Sequence, residues 1–186
     1  MNPMVTSKEK ILSVCRELIR QEGWDAINIR SVAKACDVSV GTLYNYFHSK
    51  DDLSSAIVES VWRDIFHHEN DMDAFADLPS CIQWLYRRLA YGARQYPNFL
   101  NLHALRFNAD TKAQGRAQME KVWEHMRENL CRIMQKDGNI RPGALGDALT
   151  AENFADVIFS LLLSSMIRQN YDPSAAMEIA RRILYE

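Results

Sequence analysis

Cysteine is scarce in this sequence, and its four occurrences lie far apart. No two cysteines form a C-x-x-C pair, and no histidine lies near them at the spacing of a zinc finger. This pattern argues against a disulfide framework and against a structural metal site. It predicts small, reduced thiols in the interior, at Cys15, Cys36, Cys81 and Cys131. We expect neither a cofactor nor a metal ion.

Long apolar runs are also missing. The most apolar stretch, 154–167, contains Asp156 and is shorter than the roughly 18 residues that span a bilayer. Residues 1–10 hold no apolar segment typical of a signal peptide. Since 47% of the residues are apolar and 25% are charged, the composition is that of a globular protein. We expect a cytoplasmic protein that does not contact a membrane.

Neither sign of charge dominates the sequence. Lysine and arginine number 22 against 24 acidic residues, so the net charge of -2 gives no general attraction to nucleic acid. Within residues 1–50, however, seven bases stand against five acids, which leaves that part with a charge of +2 and the remainder with -4. Any polyanionic partner should therefore bind the N-terminal part.

Strand-like alternation of apolar and polar residues is absent, and apolar residues instead recur at helical spacing. We therefore predict an all-α fold. The first helix should be capped by Thr6, with Glu9 as its capping-box partner, and should end at Gly23. Further helices are predicted at about 28–35, 39–48, 50–68, 80–95, 98–108, 111–136, 151–169 and 173–185.

Three short helices open the chain, and a tight turn joins the second to the third. This is the outline of a helix-turn-helix of the homeodomain-like kind, whose last helix enters a DNA major groove. In the third helix two apolar anchors, Leu43 and Phe47, alternate with small, amide and phenolic side chains that suit phosphates and base edges. The candidate DNA contacts are Arg30, Val40, Gly41, Thr42, Tyr44, Asn45, Tyr46 and Lys50.

These side chains suit different parts of a duplex. Tyr44 and Lys50 suit phosphate oxygens, and Gly41 leaves room for the backbone to approach the duplex closely. Asn45 can donate and accept at once, as the major-groove edge of adenine requires. For Tyr46, a place in the apolar core is the alternative.

The first sixty residues also carry short motifs at fixed spacings. They are Gly23, Asn28-Ile29-Arg30-Ser31-Val32-Ala33, Val38-Ser39, Gly41-Thr42-Leu43-Tyr44, Tyr46-Phe47 and Ser49-Lys50-Asp51-Asp52-Leu53. Together they resemble the N-terminal signature of the tetracycline-repressor (TetR) family. The resemblance implies a cytoplasmic homodimer with a helical ligand-binding domain, and usually repression relieved by a small molecule. Cys36-Asp37 stand where the family usually has Ala-Gly, which puts an acid near the DNA-facing turn.

The chain divides accordingly into two parts. Residues 1–50 are predicted to be the DNA-binding helix-turn-helix module, and residues 69–186 a ligand-binding and dimerisation domain. A fourth helix at 50–68 links them. The boundary lies at or inside the acidic, aperiodic stretch 67–79, a pattern that a packed helix would not carry.

Methionine and aromatic side chains recur at helical spacing in the C-terminal part. They form a core first of all, but bulky aromatics and flexible methionines also line adaptable apolar pockets. We expect a small apolar or aromatic effector to bind there, and the sequence does not reveal which one. The candidate ligand contacts are Trp84, Tyr91, Phe99, His103, Phe107, Trp123, Met126 and Phe159.

The helix predicted at 151–169 is apolar nearly all round, so a monomer would leave part of its apolar surface exposed to solvent. With the following helix it is predicted to form a two-fold, four-helix interface with a second copy. The candidate interface residues are Phe154, Ile158, Leu161, Leu162, Ala180, Ile183 and Leu184. The alternative is burial of this helix wholly inside one chain.

Other functions are also considered. A thiol switch would sense oxidants through one of the cysteines. We expect no enzyme, because the sequence shows no nucleophile-and-base pair, glycine-rich phosphate loop or H-E-x-x-H motif. The DNA-binding module also suits an activator or a nucleoid protein. His67-His68 with Glu69 and Asp71 is better explained as a solvated stretch than as a set of metal ligands.

Overall fold

The computed structural model describes residues 6–66, 77–100 and 113–186. The described part is all-α, as predicted, apart from one isolated bridge between Gly146 and Leu149. Its helices are α1 Lys8–Glu22, α2 Ile29–Ala35, α3 Val40–Tyr44, α4 Lys50–Phe66, α5 Leu78–Gln95, α6 Ala113–Lys136, α7 Ala151–Arg168 and α8 Ser174–Ala180. Among the described residues no helix is both long and apolar enough to cross a membrane.

Side-chain caps set the starts of the N-terminal helices. The cap of α1 is Ser7, whose hydroxyl accepts from the amide of Lys10 at 3.2 Å. The predicted cap, Thr6, is therefore wrong by one residue. Asn28 caps α2 and forms a capping box with Ser31. Each cap satisfies an amide that the helix itself leaves without a partner.

The turn between α2 and α3 depends on Asp37, which has a left-handed φ of 52°. Aspartate tolerates this conformation better than most residues with a side chain. Helix α3 is shorter than expected and ends at Tyr44 instead of near residue 48. The chain leaves the α-helix there because the amide of Asn45 donates to Thr42, three residues back, at 3.2 Å.

Helices α4 and α5 approach each other very closely at Gly92. A Cβ atom at that position would lie 2.8 Å from Cδ1 of Ile65, so only glycine fits without a shift of the neighbour. Beside it the buried Arg88 side chain donates from Nη2 to the carbonyl of Asp64 at 3.1 Å and from Nε to the carbonyl of Ile65. These bonds hold the side chain of Arg88 against the last turn that the structure describes in α4.

One apolar cluster runs through the described part of the chain. It begins with Ile11 in α1, continues through Ile57 in α4, and reaches Leu184 near the end of the chain. Helix α4 packs against α1, α5 and α6, and it thus belongs to both predicted parts. The division of the chain between residues 50 and 69 stays a prediction, since 67–76 lie outside the described residues.

The C-terminal helices follow the predicted order with shifted ends. Helix α5 starts at Leu78 and not at 80, because Asp77 caps it and Pro79 occupies its first turn, where proline is tolerated. Of the helix predicted at 98–108, residues 101–108 lie outside the described part. The last predicted helix is α-helical only to Ala180, and a π-helical turn, Arg181–Tyr185, follows it.

A buried carboxylate, Asp137, ties three C-terminal segments together. Its Oδ2 accepts from the amide of Leu78 at 3.2 Å and from the hydroxyl of Tyr185 at 2.6 Å. Its Oδ1 accepts from the amide of Asn139 at 3.0 Å. Burial raises the pKa of Asp137, but these hydrogen bonds outweigh burial and lower the pKa below its usual value of 3.8.

We expect Asp137→Asn to lower the free energy of unfolding by about 1–3 kcal/mol at pH 7, because the amide cannot accept from every donor. A lowered folded pKa means that the carboxylate stabilises the fold above pH 4 and loses this effect as the pH falls through the folded pKa. The difference from wild type, measured by urea denaturation, should therefore shrink on acidification below pH 4. Asp147→Asn, at an exposed site, is the matched control; equal losses from both variants would contradict this role.

Candidate nucleic-acid interface and buried cavity

Helix α3 lies on the N-terminal core with one side and is exposed on the other. Leu43 and Phe47 are fully buried, as predicted. Six of the eight candidate DNA contacts are exposed: Arg30, Val40, Gly41, Tyr44, Asn45 and Lys50. Val40 and Tyr44 are 37% and 45% exposed, and they are two of the four large apolar side chains that are exposed among the described residues. The structure thus places on its surface most of the residues that the sequence singled out.

No contact among the described residues requires glycine at position 41. A Cβ atom there would meet only Oγ of Ser39, at an ordinary contact distance of 3.7 Å. Glycine in a helix costs about 0.5–1 kcal/mol relative to alanine. The fold of the chain itself does not require this loss of stability, whereas close approach of an external partner to α3 would.

Thr42 and Tyr46 are half-buried and make bonds within the protein. The hydroxyl of Thr42 lies 2.9 Å from that of Ser39, the cap of α3. The phenol of Tyr46 donates to the carbonyl of Thr6 at 2.6 Å and holds the segment before α1 against the end of α3. The hydroxyl of Tyr46 is therefore engaged inside the module, which favours the core alternative for this residue.

A polar cluster joins α1 to the ends of α4 and α5. Nη2 of Arg20 donates to Oδ2 of Asp64 at 3.0 Å and to the phenol oxygen of Tyr96 at 2.7 Å. That phenol donates in turn to Oδ2 of Asp64 at 2.7 Å. Burial and the bond to Asp64 raise the pKa of Tyr96, so the phenol keeps its proton as a donor. The N-terminal module is thus bound directly to α5.

Aromatic rings form a second link between the same parts. The ring centroid of Trp24, in the turn after α1, lies 5.8 Å from that of Phe99. The ring centroid of Phe99 lies 5.8 Å from that of Trp62 in α4. Trp62 stacks on Phe66 at 5.7 Å, and Phe66 packs against Trp84 of α5 at 5.9 Å. A displacement of Trp62 would therefore reach Trp24 through one intervening ring.

A small apolar cavity lies beside Trp62. Its volume is about 10 Å³, room for about one water molecule. The walls come from α4, α5, α6 and α7: Trp62, Phe66, Leu85, Leu89, Trp123, Met126, Phe159, Leu162, Leu163 and Met166. Among the candidate ligand contacts, the structure places Trp123, Met126 and Phe159 in this wall.

The other candidate ligand contacts lie elsewhere. Phe99 is fully buried between Trp24 and Trp62, and Tyr91 lies 4.5 Å from the guanidinium of Arg88. Trp84 packs behind Phe66 and does not line the cavity. His103 and Phe107 lie outside the described residues.

Sequence reasoning missed the part of the wall that α4 supplies. Trp62 and Phe66 are four residues apart, the spacing that brings two side chains together on one helix face. Trp62 is only 2% exposed. The signal was present in this aromatic pair, but a helix assigned as a linker gave no reason to count it as a ligand wall.

A second depression, between α6 and α7, differs in character. It measures about 550 Å³, is open to solvent, and is lined by Glu124, Arg127, Glu128, Cys131, Arg132, Gln135, Glu152 and Asp156. Such charged walls do not suit the apolar ligand that the sequence predicts.

The predicted interface residues are mostly buried within one chain. Five of the seven face the protein's own core and are 3% exposed or less: Phe154, Ile158, Leu162, Ala180 and Leu184. Their burial favours the alternative of packing inside one chain, because the apolar pattern of α7 does not distinguish its own core from a partner. Leu161 and Ile183 are half-buried and remain candidates. The apolar side chains that α7 exposes are Val157 and Ile167, at 42% and 43%.

All four cysteines are free, and burial raises the pKa of each thiol. For Cys15 and Cys81 the pKa rises to about 12. Since the thiolate is the reactive form, these two thiols are poor sensors of oxidants at neutral pH.

Residues 11–57 match the sequence profile of a family described as bacterial regulatory proteins, tetR family. Over 52 residues the chain is 35% identical to the HTH-type transcriptional regulator UidR of Escherichia coli K12, a match covering 28% of this chain and 26% of that protein. It is 41% identical over 52 residues to the HTH-type transcriptional repressor KstR of Rhodococcus jostii RHA1, covering 28% and 24%. These matches span about a quarter of each curated relative.

The full fold resembles that of a solved regulator. The structure of the transcriptional regulator FadR from Bacillus subtilis in complex with stearoyl-CoA superposes with a TM-score of 0.68. The alignment covers 97% of this chain and 98% of FadR at 18% identity. At this identity the likeness concerns the fold alone.

We expect Cys15 and Cys81 of the native protein to react with iodoacetamide at pH 8 about a hundredfold more slowly than in the unfolded chain. Mass spectrometry of the alkylated peptides measures the rate at each site, and the protein in urea is the control. Rapid modification of either thiol in the native protein would favour the alternative function, in which the protein senses oxidants through a cysteine.

Proposed function

We propose that this chain, which belongs to the tetR family of bacterial regulatory proteins through its N-terminal domain, is a cytoplasmic repressor that binds operator DNA as a homodimer. A small apolar or aromatic effector releases it from the DNA. The observation that carries this proposal is the exposed side of α3, where Val40, Gly41 and Tyr44 are presented on a helix firmly anchored by the buried Leu43.

In the proposed complex α3 enters the major groove and the exposed side chains divide the contacts. Tyr44 and Lys50 bind phosphate oxygens, and Arg30 adds a contact from the first turn of α2. Asn45 reads a base edge, with Val40 against a thymine methyl group. Thr42 contributes through its methyl group, since its hydroxyl faces Ser39, and Tyr46 positions α3 instead of touching DNA.

A second copy of the chain is proposed to cover the exposed face of α7. That face carries Val157 and Ile167 with the half-buried Leu161, and the half-buried Ile183 follows α8. Two such copies would set their α3 helices roughly one DNA turn, about 34 Å, apart for a palindromic operator. This face replaces the buried residues that the sequence suggested.

The effector is proposed to enlarge the cavity beside Trp62. Trp62 contacts the aromatic link to Trp24, and the same end of α4 is bound to α1 through Asp64 and Arg20. A ligand that binds one arrangement of α4 more tightly shifts the spacing of the two α3 helices. A repressor that binds DNA and is released by an effector would account for these features. No enzymatic step is proposed.

Gly41→Ala is expected to weaken DNA binding about tenfold, because the added methyl group occupies space left for the duplex. The same variant should unfold at equal or higher urea concentration, since alanine favours a helix by about 0.5–1 kcal/mol. Duplexes selected from a random library by the wild-type protein serve as the DNA, and fluorescence anisotropy measures the affinity.

The matched control is Gly138→Ala, where a Cβ atom meets nothing within 4 Å and which lies in the loop after α6. It should leave DNA affinity unchanged. Wild-type affinity of Gly41→Ala, or a library from which the wild-type protein enriches no sequence, would overturn the proposed DNA contact.

Val157→Glu is expected to raise the dimer dissociation constant about a hundredfold, because the two-fold axis brings two unpaired charges into an apolar interface. Sedimentation at micromolar concentration measures the species. Gln135→Glu adds the same charge on the exposed surface of α6 and should leave the dimer intact. A dimer that survives Val157→Glu must use another face.

A further inference from the structure

We propose that the effector is an uncharged aromatic or apolar molecule carrying one hydrogen-bond acceptor, and that the indole N–H of Trp62 is the donor that recognises it. This inference rests on the ligand-responsive function proposed above, and it names the ligand class and the residue that selects it. The two observations behind it are independent: a cavity lined only by apolar and aromatic side chains, and a buried polar atom that belongs to one of the lining residues.

The indole nitrogen of Trp62 has no hydrogen-bond partner in the described part of the chain, although the side chain is only 2% exposed. A buried donor without an acceptor has lost its hydrogen bond to water and gained none in return. Buried polar groups in native proteins are normally paired, so such an atom beside a cavity calls for an explanation. A ligand that brings an acceptor restores the lost hydrogen bond when it binds.

Water is a poor substitute for that ligand. The cavity has room for about one water molecule, but a buried water usually makes about three hydrogen bonds. The remaining wall, including Phe66, Trp123 and Phe159, offers hydrocarbon and ring surface. An acceptor attached to an apolar body satisfies the donor and the wall together.

The walls also determine the charge of the ligand. None of the ten lining residues is ionisable. The nearby cation, Arg127, stacks on the ring of Phe159 at 5.7 Å and pairs with Asp156 at 3.4 Å on the half-exposed side of the helices. A carboxylate or an ammonium group inside the cavity would be buried without a charged partner, which costs far more than a hydrogen bond to a neutral group returns.

Binding requires the wall to move, since a molecule larger than water exceeds about 10 Å³. Met126 and Met166 are in the wall, and unbranched methionine side chains repack at low cost. Trp62 itself is the wall residue that contacts Phe99, and through it Trp24. The residue that recognises the acceptor is therefore also the one that leads to the DNA-binding module.

The test compares two probes of nearly equal shape, acetophenone and α-methylstyrene, which differ in a ketone oxygen against a methylene group. In the full-length protein, Trp62 is replaced by benzothienylalanine, which keeps the ring system and loses the N–H, and in a second variant by phenylalanine. Calorimetry gives the dissociation constants. In both variants we expect the affinity for acetophenone to fall about five- to tenfold more than the affinity for α-methylstyrene. This difference corresponds to the loss of one hydrogen bond.

A spectroscopic readout separates recognition from mere packing. In protein labelled with ¹⁵N at its tryptophans, the indole N–H signal of Trp62 is the one missing from both variants. Acetophenone should move this signal downfield, and α-methylstyrene should not. Benzoate, which has the same ring and a negative charge, should bind at least about tenfold more weakly than acetophenone.

Equal losses for both probes, an unmoved Trp62 signal at saturating acetophenone, or no binding of acetophenone to the wild-type protein would each overturn the inference. Failure of the proposed function is distinguishable, because the wild-type protein is tested for binding to the selected duplex in the absence of any probe. A wild-type protein that binds this duplex but shows no selectivity between the probes would refute the ligand class and leave DNA binding intact.

Discussion

The end of α4 is the constraint on which the rest of the structure depends. Its last carbonyls accept from Arg88, the carboxylate of Asp64 accepts from Arg20 and Tyr96, and the side chain of Ile65 fills the space left by Gly92. The bonds from Arg88 attach α4 to α5, and the bonds to Asp64 attach it to α1 and to Tyr96. The contact between Ile65 and Gly92 leaves no room for α4 and α5 to slide past each other. Any change in the tilt of α4 has to break or carry along these contacts.

This arrangement explains how two kinds of site coexist in one small protein. The exposed side of α3 needs a rigid support, which the caps Ser39 and Asn28 and the buried Leu43 provide. The cavity needs walls that yield, which methionines provide. Helix α4 contributes to both regions. Its Leu53 lies in the N-terminal part of the apolar core, and its Trp62 lies in the wall of the cavity.

The sequence predicted the N-terminal half well because its signals are local. Asn28, Asp37 and Ser49 act on backbone atoms within a few residues, so type and spacing suffice to locate helices and turns. The interface residues are harder to predict for the opposite reason. Phe154 and Val157 are equally apolar in a pattern, and only the packing of α7 on α6 decides that one is buried and the other exposed. The contribution of Trp62 to the cavity likewise depends on contacts between distant segments.

A continuous apolar cluster from Ile11 to Leu184 has a consequence for genetics. Because the two parts of the chain share one interior, damage to the packing around Leu184 also removes support from α3. Under the proposed function, the mutations found in a screen for derepressed colonies would scatter over the whole gene. Those that abolish DNA contact alone would form a small minority, recognisable because the protein still accumulates to normal levels.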